Sequence, residues 1–216
     1  MSIRIDGTLR RGDWSLRLDE LAISHGTTAI VGPNGAGKTG LLRLIAGLEA
    51  ISEGTVRIGG AVVDEPRTST FVQPDRRPVA MVFQDHRLFP HLRAVDDVAF
   101  PMRRRGVERA TARSRARELL DRLGMADHAN ARPDRLSGGQ RQRVAVARAL
   151  ARDAEVLLLD EPLASIDEAS RFALRELFAT ETAPTVVWVT HDPTDAAGAD
   201  SILTLDASGI RQTAGS

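Results

Sequence analysis

Apolar and polar residues alternate at the start of the chain. Ile3 and Ile5, then Trp14, Leu16 and Leu18, occupy every second position, and the Arg-Arg-Gly-Asp stretch between them has turn chemistry. A period of two with a turn in its middle predicts a β-hairpin. Thr28 to Val31 is a short apolar strand that runs into a glycine-rich segment, and Lys38 to Leu48 reads as the helix that follows. Gly54 to Val63 predicts a second hairpin, and Val79 to Gln84 a buried strand. From Leu88 to about Ala151 the pattern turns helical and arginine-rich, with Glu108 to Leu123 the clearest helix. Val156 to Asp160 and Thr185 to Thr190 are strongly apolar strands with a helical stretch, Glu168 to Thr180, between them. Ile202 to Leu205 is the last strand.

Strand–helix–strand order with apolar, non-alternating strands predicts a parallel sheet covered by helices. The expected architecture is one α/β unit. Residues 1–87 and 152–216 form its core, with a small β region at the start, and residues 88–151 form a helical insertion.

Composition changes this picture little. Of 216 residues 42% are apolar, enough to bury a sizeable core, and the formal net charge is zero, so no global attraction to nucleic acid is expected. The absence of cysteine excludes disulfides and thiolate metal sites. The N-terminus lacks the apolar core of a signal peptide, and no apolar run approaches the ~18 residues of a membrane span. A soluble, cytoplasmic chain is the expectation. Lys38 is the only lysine among 29 cationic residues, and base-composition bias accounts for the arginines. The retained lysine stands where a compact point charge suits a phosphate.

That place is Gly32-Pro33-Asn34-Gly35-Ala36-Gly37-Lys38-Thr39, which fits G-x-x-x-x-G-K-[ST]. Its glycines let successive N–H groups turn toward one anion, and the following helix adds the positive end of its dipole. Lys38 reaches β- and γ-phosphates, and Thr39 offers a hydroxyl to Mg²⁺. Gly40 also completes G-x-G-x-x-G with Gly35 and Gly37, a dinucleotide fingerprint. That rival needs an acidic residue closing the next strand, where Thr-Val-Arg-Ile-Gly-Gly stands instead. Gly40 costs helix propensity, about 1 kcal/mol against alanine in a helix interior, less in a first turn.

Val156 to Pro162 is an apolar strand delivering two acids to its C-terminal edge. Asp160 is suited to hold Mg²⁺ and Glu161 to orient and deprotonate an attacking water. Alone, the two acids would read as the solvated end of a strand; behind a phosphate loop they read as ATP hydrolysis. Leu136 to Leu150 adds Leu-Ser-Gly-Gly-Gln followed by a helix, a second anion-accepting N-terminus. Two such sites in one small chain make sense if two copies face each other.

Over essentially its whole length the sequence resembles the ATP-binding cassette family, built on a RecA-like P-loop core with a parallel sheet, an N-terminal antiparallel β-subdomain and an inserted α-helical subdomain. Six motifs occur in the family's order: Walker A at Gly32 to Thr39, the Q-loop at Gln84, the signature at Leu136 to Gln140, Walker B at Val156 to Glu161, the D-loop at Ser165-Ile166-Asp167 and the switch histidine at His191. The resemblance implies a head-to-tail dimer holding two ATP and Mg²⁺. Ser137, Gly138, Gly139 and Gln140 of one subunit would meet the nucleotide on the other's Walker A loop, after which Gly40 stands where the family usually has a second hydroxyl residue, so looser metal and phosphate contacts are expected there. It implies that His191 pins the γ-phosphate and water, Gln84 senses the metal beside Thr39 and Asp160, and Asp167 communicates across the interface. Both half-sites look intact, so a homodimer is expected.

The stretches Arg87 to Leu92 and Glu161 to Asp167 resemble importer ATPases, and Val82 to His91 those of molybdate and related oxyanion importers. The implied partners are transmembrane permease subunits at the cytoplasmic face of the membrane and a solute-binding protein. A translation- or repair-type cassette, or an exporter, is the alternative; the chain lacks the tandem cassettes or long coiled coils of the former. Leu88, Phe89, Pro90 and Leu92 either receive a permease coupling helix or are core. Trp14 either stacks on adenine or is core. The arginines of 103–105 and 108–123 either face lipid headgroups or are a solvated helix face. With Gln-Thr-Ala-Gly-Ser following soon after the last strand, no C-terminal regulatory β-domain is expected.

Overall fold

The computed structural model describes residues 2–163, 171, 174, 184–206 and 209–213. The first hairpin is β1 (Ile3–Arg11) and β2 (Trp14–Ile23), turned at residues 12–13 as the alternation predicts. β3 (Thr27–Val31) leads into α1 (Lys38–Ala46). The second hairpin, β4 (Glu53–Ile58) and β5 (Ala61–Glu65), is followed by a two-residue strand β6 (Thr70–Phe71) and by β7 (Val79–Val82). The helical region holds α2 (Ala94–Arg104), α3 (Arg109–Arg122) and α4 (Gly138–Leu150). β8 (Val156–Asp160) and β9 (Thr185–Thr190) have the bounds read from the sequence, and β10 (Ser201–Asp206) and β11 (Gly209–Thr213) close the chain's described part.

The strands form two sheets. One is antiparallel, in the order β2-β1-β4-β5-β6; the other runs β11-β10-β3-β9-β8-β7. In the second sheet β10, β3, β9, β8 and β7 are mutually parallel, and β11 pairs antiparallel at one edge. The predicted parallel sheet is therefore mixed at its rim. The helical stretch expected over residues 168–180 and the D-loop residues Ser165, Ile166 and Asp167 lie outside the described residues. Among the described residues no helix is long and apolar enough to cross a membrane.

Both faces of the parallel sheet are covered, which is why its strands read as unbroken apolar runs. Leu157 and Leu159 pack with α2, α3 and α4, whereas Val156 and Leu158 pack with α1 and the antiparallel sheet. α1 is thus held between two sheets, and Leu41, Leu42, Leu44 and Ile45 are all fully buried. It stops two residues before the predicted Leu48. Gly47 takes a left-handed φ of 76°, its N–H bonds Leu44 O and the Leu48 N–H bonds Arg43 O, a glycine-terminated helix end. A Cβ on Gly47 would stand 2.5 Å from Nε of Arg77, so a buried arginine fills the space the glycine leaves.

Candidate nucleotide site

Four neighbouring parallel strands deliver the predicted site residues to one edge. β3 ends in the loop of residues 32–37, β7 leads to Gln84, β8 ends in Asp160 with Glu161 next, and β9 is followed by His191. The C-terminal edge of a parallel sheet is where α/β folds place ligands. A cleft of about 460 Å³ opens there, lined by Asn34, Gly35, Gly37, Lys38, Thr39, Gly40, Gln84, Asp160, Glu161 and His191. Arg11 and Trp14, from the first hairpin, complete its wall.

The loop has the backbone that its glycines were expected to allow. Gly35 and Gly37 have φ of 83° and 105°, and a Cβ on Gly37 would stand 2.5 Å from the Trp14 ring. Gly32 is demanded by crowding: a Cβ there would lie 2.1 Å from the carbonyl oxygen of Leu205. Pro33 accepts the Ala36 N–H at 3.3 Å, closing a turn over Asn34 and Gly35. Gly40 is different, since a Cβ there meets only ordinary contacts with Leu9 and Trp14. The dinucleotide rival also loses its context. The strand after α1 is β4, which belongs to the antiparallel sheet, so no β–α–β unit forms around the glycines.

Lys38 is the first residue of α1 and is buried, with Nζ donating to the carbonyls of Gly32 at 2.7 Å and Pro33 at 3.0 Å. Burial lowers its pKa, opposed by the charges of Glu161 and Asp160. Thr39 Oγ1 donates to Asp160 Oδ1 at 3.1 Å. Asp160 is 4% exposed, and burial raises its pKa, opposed mainly by the Thr39 hydrogen bond. Thr39 hydroxyl, Asp160 carboxylate and Gln84 amide are all hard oxygen donors beside a phosphate loop. Among the described residues no cluster of three or more His, Cys, Asp or Glu exists to hold a metal alone. That set suits Mg²⁺, which keeps waters and binds substrate phosphates with one or two protein oxygens.

Glu161 has a left-handed φ of 53°, uncommon for a residue with a side chain, and its N–H bonds Val189 O at 3.1 Å. Its two carboxylate oxygens both lie 2.9 Å from His191 Nδ1. This hydrogen bond and the carboxylate's charge raise the His191 pKa. The imidazole is half exposed, so the contact lies open to solvent and to ligands.

Ser137, Gly138, Gly139 and Gln140 do not line this cleft. They form the start of α4, where Ser137 Oγ accepts the Gln140 N–H at 3.2 Å and Gln140 Oε1 accepts the Ser137 N–H at 2.9 Å, a reciprocal cap. The remaining first-turn N–H groups, those of Gly138 and Gly139, have no acceptor within the helix and are the donors left for an anion. Gln140 Nε2 lies 2.9 Å from His128 Nε2, which holds the amide in place. Arg11 was not foreseen: it pairs with Glu49 at the cleft wall, and its only sequence signal is its place in the turn before Trp14.

A family model described as ABC transporter matches residues 18–164. The chain is 40% identical over 87% of its length to the trehalose/maltose import ATP-binding protein MalK of Thermococcus litoralis, covering 51% of that protein. It is 44% identical over 88% of its length to the Fe(3+) ions import ATP-binding protein FbpC of Streptomyces avermitilis, covering 54% of it. The chain thus spans about half the length of these curated relatives. Its fold matches a dimeric structure of the ATP-binding cassette MJ0796 with a TM-score of 0.83 and 31% identity over 98% of both chains. A post-hydrolysis dimer of the same cassette bound to ADP and Pi matches at 0.81, 29% identity and 98% coverage of each. With that match across most of its length, and the cassette fold beneath it, the chain belongs to the ABC transporter family.

Proposed function

We propose that the chain is the ATP-hydrolysing subunit of an importer, acting as a homodimer of cassettes that closes on two ATP molecules. The observation that carries hydrolysis is the contact of both Glu161 oxygens with His191 beside the phosphate loop. In this reading the loop N–H groups cradle the phosphates, and Lys38 exchanges the Gly32 and Pro33 carbonyls for phosphate oxygens. Glu161 orients the attacking water and accepts its proton. His191 leaves Glu161 to bond the γ-phosphate. Thr39, Asp160 and Gln84 would hold Mg²⁺, whose charge offsets that of the β- and γ-phosphates. The partner's Gly138 and Gly139 N–H groups complete the site, consistent with this chain's own cleft being lined without them. Asp167 is assigned to the dimer interface, and Trp14 to the adenine ring. Glu161→Gln is expected to lower turnover by on the order of 10²–10⁴-fold and to accumulate an ATP-bound dimer in analytical ultracentrifugation. Undiminished turnover would remove Glu161 as the base.

Import is supported by the functions for which the relatives are named. Their solutes differ, spanning trehalose/maltose, Fe(3+), sn-glycerol-3-phosphate and spermidine/putrescine, so they do not select one. We assign the chain to the molybdate-type oxyanion importers on the likeness of residues 82–91. Stimulation of ATP hydrolysis in the reconstituted transporter by molybdate, and not by sugars or polyamines, tests this.

The permease is assigned to a groove of about 720 Å³ between β7 and α2, with Phe83, Phe89, Phe100 and Pro101 in its wall and Arg104 and Arg105 at its rim. Phe100 and Leu48 are large apolar residues left exposed there, and the Phe89 and Phe100 rings lie 4.8 Å apart. An apolar groove with a cationic rim fits a short amphipathic helix. Leu88 divides from Phe89: it packs against the core.

A further inference from the structure

Two consecutive residues just beyond Gln84 hold backbone conformations that side-chain-bearing residues avoid. His86 and Arg87 have φ of 60° and 46°. Such a pair persists only where neighbouring groups hold it. The turn's own N–H groups bond Phe83 O and Asp85 O, and from outside the turn its carbonyls are held by Arg148, on the helix that Ser137 caps. Its Nη2 donates to His86 O at 2.9 Å and its Nη1 to Arg87 O at 2.7 Å. Nη1 also lies 3.0 Å from Asp97 Oδ1 on α2. The other Asp97 oxygen accepts the Phe89 N–H at 2.7 Å. The Arg148 guanidinium lies 5.7 Å from the centre of the Phe89 ring. Asp97 is 1% exposed. One ion pair therefore grips the chain at residues 86, 87 and 89, immediately after the residue that lines the nucleotide cleft and beside the wall of the apolar groove.

We infer that Arg148, braced by Asp97, is a positioning residue for Gln84: by fixing the left-handed turn at His86–Arg87 it makes the place of the Gln84 amide in the cleft depend on the helix that carries the signature. The inference rests on the proposed role of Gln84 at the metal and phosphate. Its chemistry is that of a fork. Two carbonyls and a carboxylate are met at once by one planar guanidinium, and a lysine ammonium on a flexible stem does not reproduce that arrangement. Movement of α4 relative to the parallel sheet must then shift the turn after Gln84 or break these bonds, which gives the two anion-accepting ends of the chain a short, hydrogen-bonded mechanical link.

The test is a double-mutant cycle on the full chain, with steady-state hydrolysis measured against ATP and against Mg²⁺. Arg148→Lys keeps a cation for Asp97 and loses the fork. It is expected to lower kcat on the order of tenfold and to raise the Mg²⁺ concentration needed for half-maximal rate. ATP affinity measured by equilibrium binding should stay at the wild-type value. In a Gln84→Ala background the same substitution should change kcat by less than about twofold, because its route of action is already gone. Asp97→Asn, which keeps the shape of the buried side chain, should behave as Arg148→Lys does, and thermal unfolding reports any general loss of fold in either. Wild-type kcat and Mg²⁺ dependence in Arg148→Lys overturns the inference. So does a double variant whose loss is the product of the two single losses. The Gln84→Ala arm alone reports on the underlying reading: wild-type kcat there removes the role of Gln84, and the link with it.

Discussion

Asp160 is a carboxylate that the fold holds against its own stability. Its pKa is raised, chiefly by burial. A carboxyl with a folded pKa above its unfolded value binds its proton more tightly in the folded chain. Folding stability therefore falls as pH rises from the unfolded value through the folded one. At neutral pH the ionised group costs stability, and Thr39, whose hydroxyl donates to Oδ1, offsets part of it. Asp160→Asn keeps that acceptor and removes the charge. The variant is expected to gain about 1 kcal/mol at pH 7, or roughly 2–4 °C in Tm, to lose the gain below the carboxylate range, and to lose ATP hydrolysis. Melting curves against pH measure it; a lower Tm at pH 7 would contradict it. His191 gives the same slope through the opposite charge. The raised His191 pKa means that its pairing with Glu161 stabilises the fold below the unfolded pKa and that this is lost as pH rises through the folded one. At this scale the sequence was an uneven guide. Lys38, Thr39, Asp160, Glu161, Gln84 and His191 are brought into one cleft as their motifs imply. Arg77, Arg148 and Arg11 were hidden among the 29 lysine and arginine residues of the chain. Their partners lie far along the chain, and no local pattern encodes such contacts.

At the scale of elements, Arg77 decides how α1 ends. Its side chain is fully buried, and it donates to Leu44 O and Ile45 O in the last turn of that helix, and to Val63 O and Val72 O. It adds a donor to Ile45 O and a second one to Leu44 O, which the Gly47 N–H already meets, and places a cation at the negative end of the dipole. Asp64, 3.9 Å away and equally buried, gives it a counter-charge and itself accepts the Ile51 N–H. Arg77→Met would take a donor from four carbonyls, of which Leu44 O and Val63 O keep a backbone N–H, and would leave Asp64 without its cation. We expect a loss of about 3–5 kcal/mol, read as a drop of ~10 °C in Tm; a change under a few degrees would mean that water replaces the guanidinium. Element reading succeeded where burial is simple. β8 and β9 are covered on both faces, so their ends coincide with the ends of their apolar runs. It overran α1 because Gly47, and not Leu48, carries the stop. α2 was not separated from its surroundings, since its polar residues include the buried Asp97 and a proline lies within it at 101.

At the scale of the molecule, the cleft and the apolar groove lie on either side of the turn after β7. The α/β class, the β-subdomain and the helical insertion were all legible, because each announces itself by a change of hydrophobic period. The pairing of β1 with β4 was not, since a partner across an intervening helix leaves no local trace. If the groove receives the permease, Phe100→Asp should abolish co-purification of the permease from detergent-solubilised membranes, by placing a charge where an apolar ring now packs against Phe89. Recovery at the wild-type level would move the contact elsewhere.

The register of β7 against β8 has a further consequence. Val79 pairs with Val156 and Val82 with Leu159, so the whole helical region leaves and rejoins the parallel sheet at adjacent strands. Closing so long a loop without internal structure has an entropic cost that grows with its length. A region rich in local helical contacts can fold early and shorten the effective loop before the strands meet. The helical region is then the clasp of the sheet during folding, and destabilising α2 or α3 should slow the pairing of β7 with β8 more than it weakens the finished sheet.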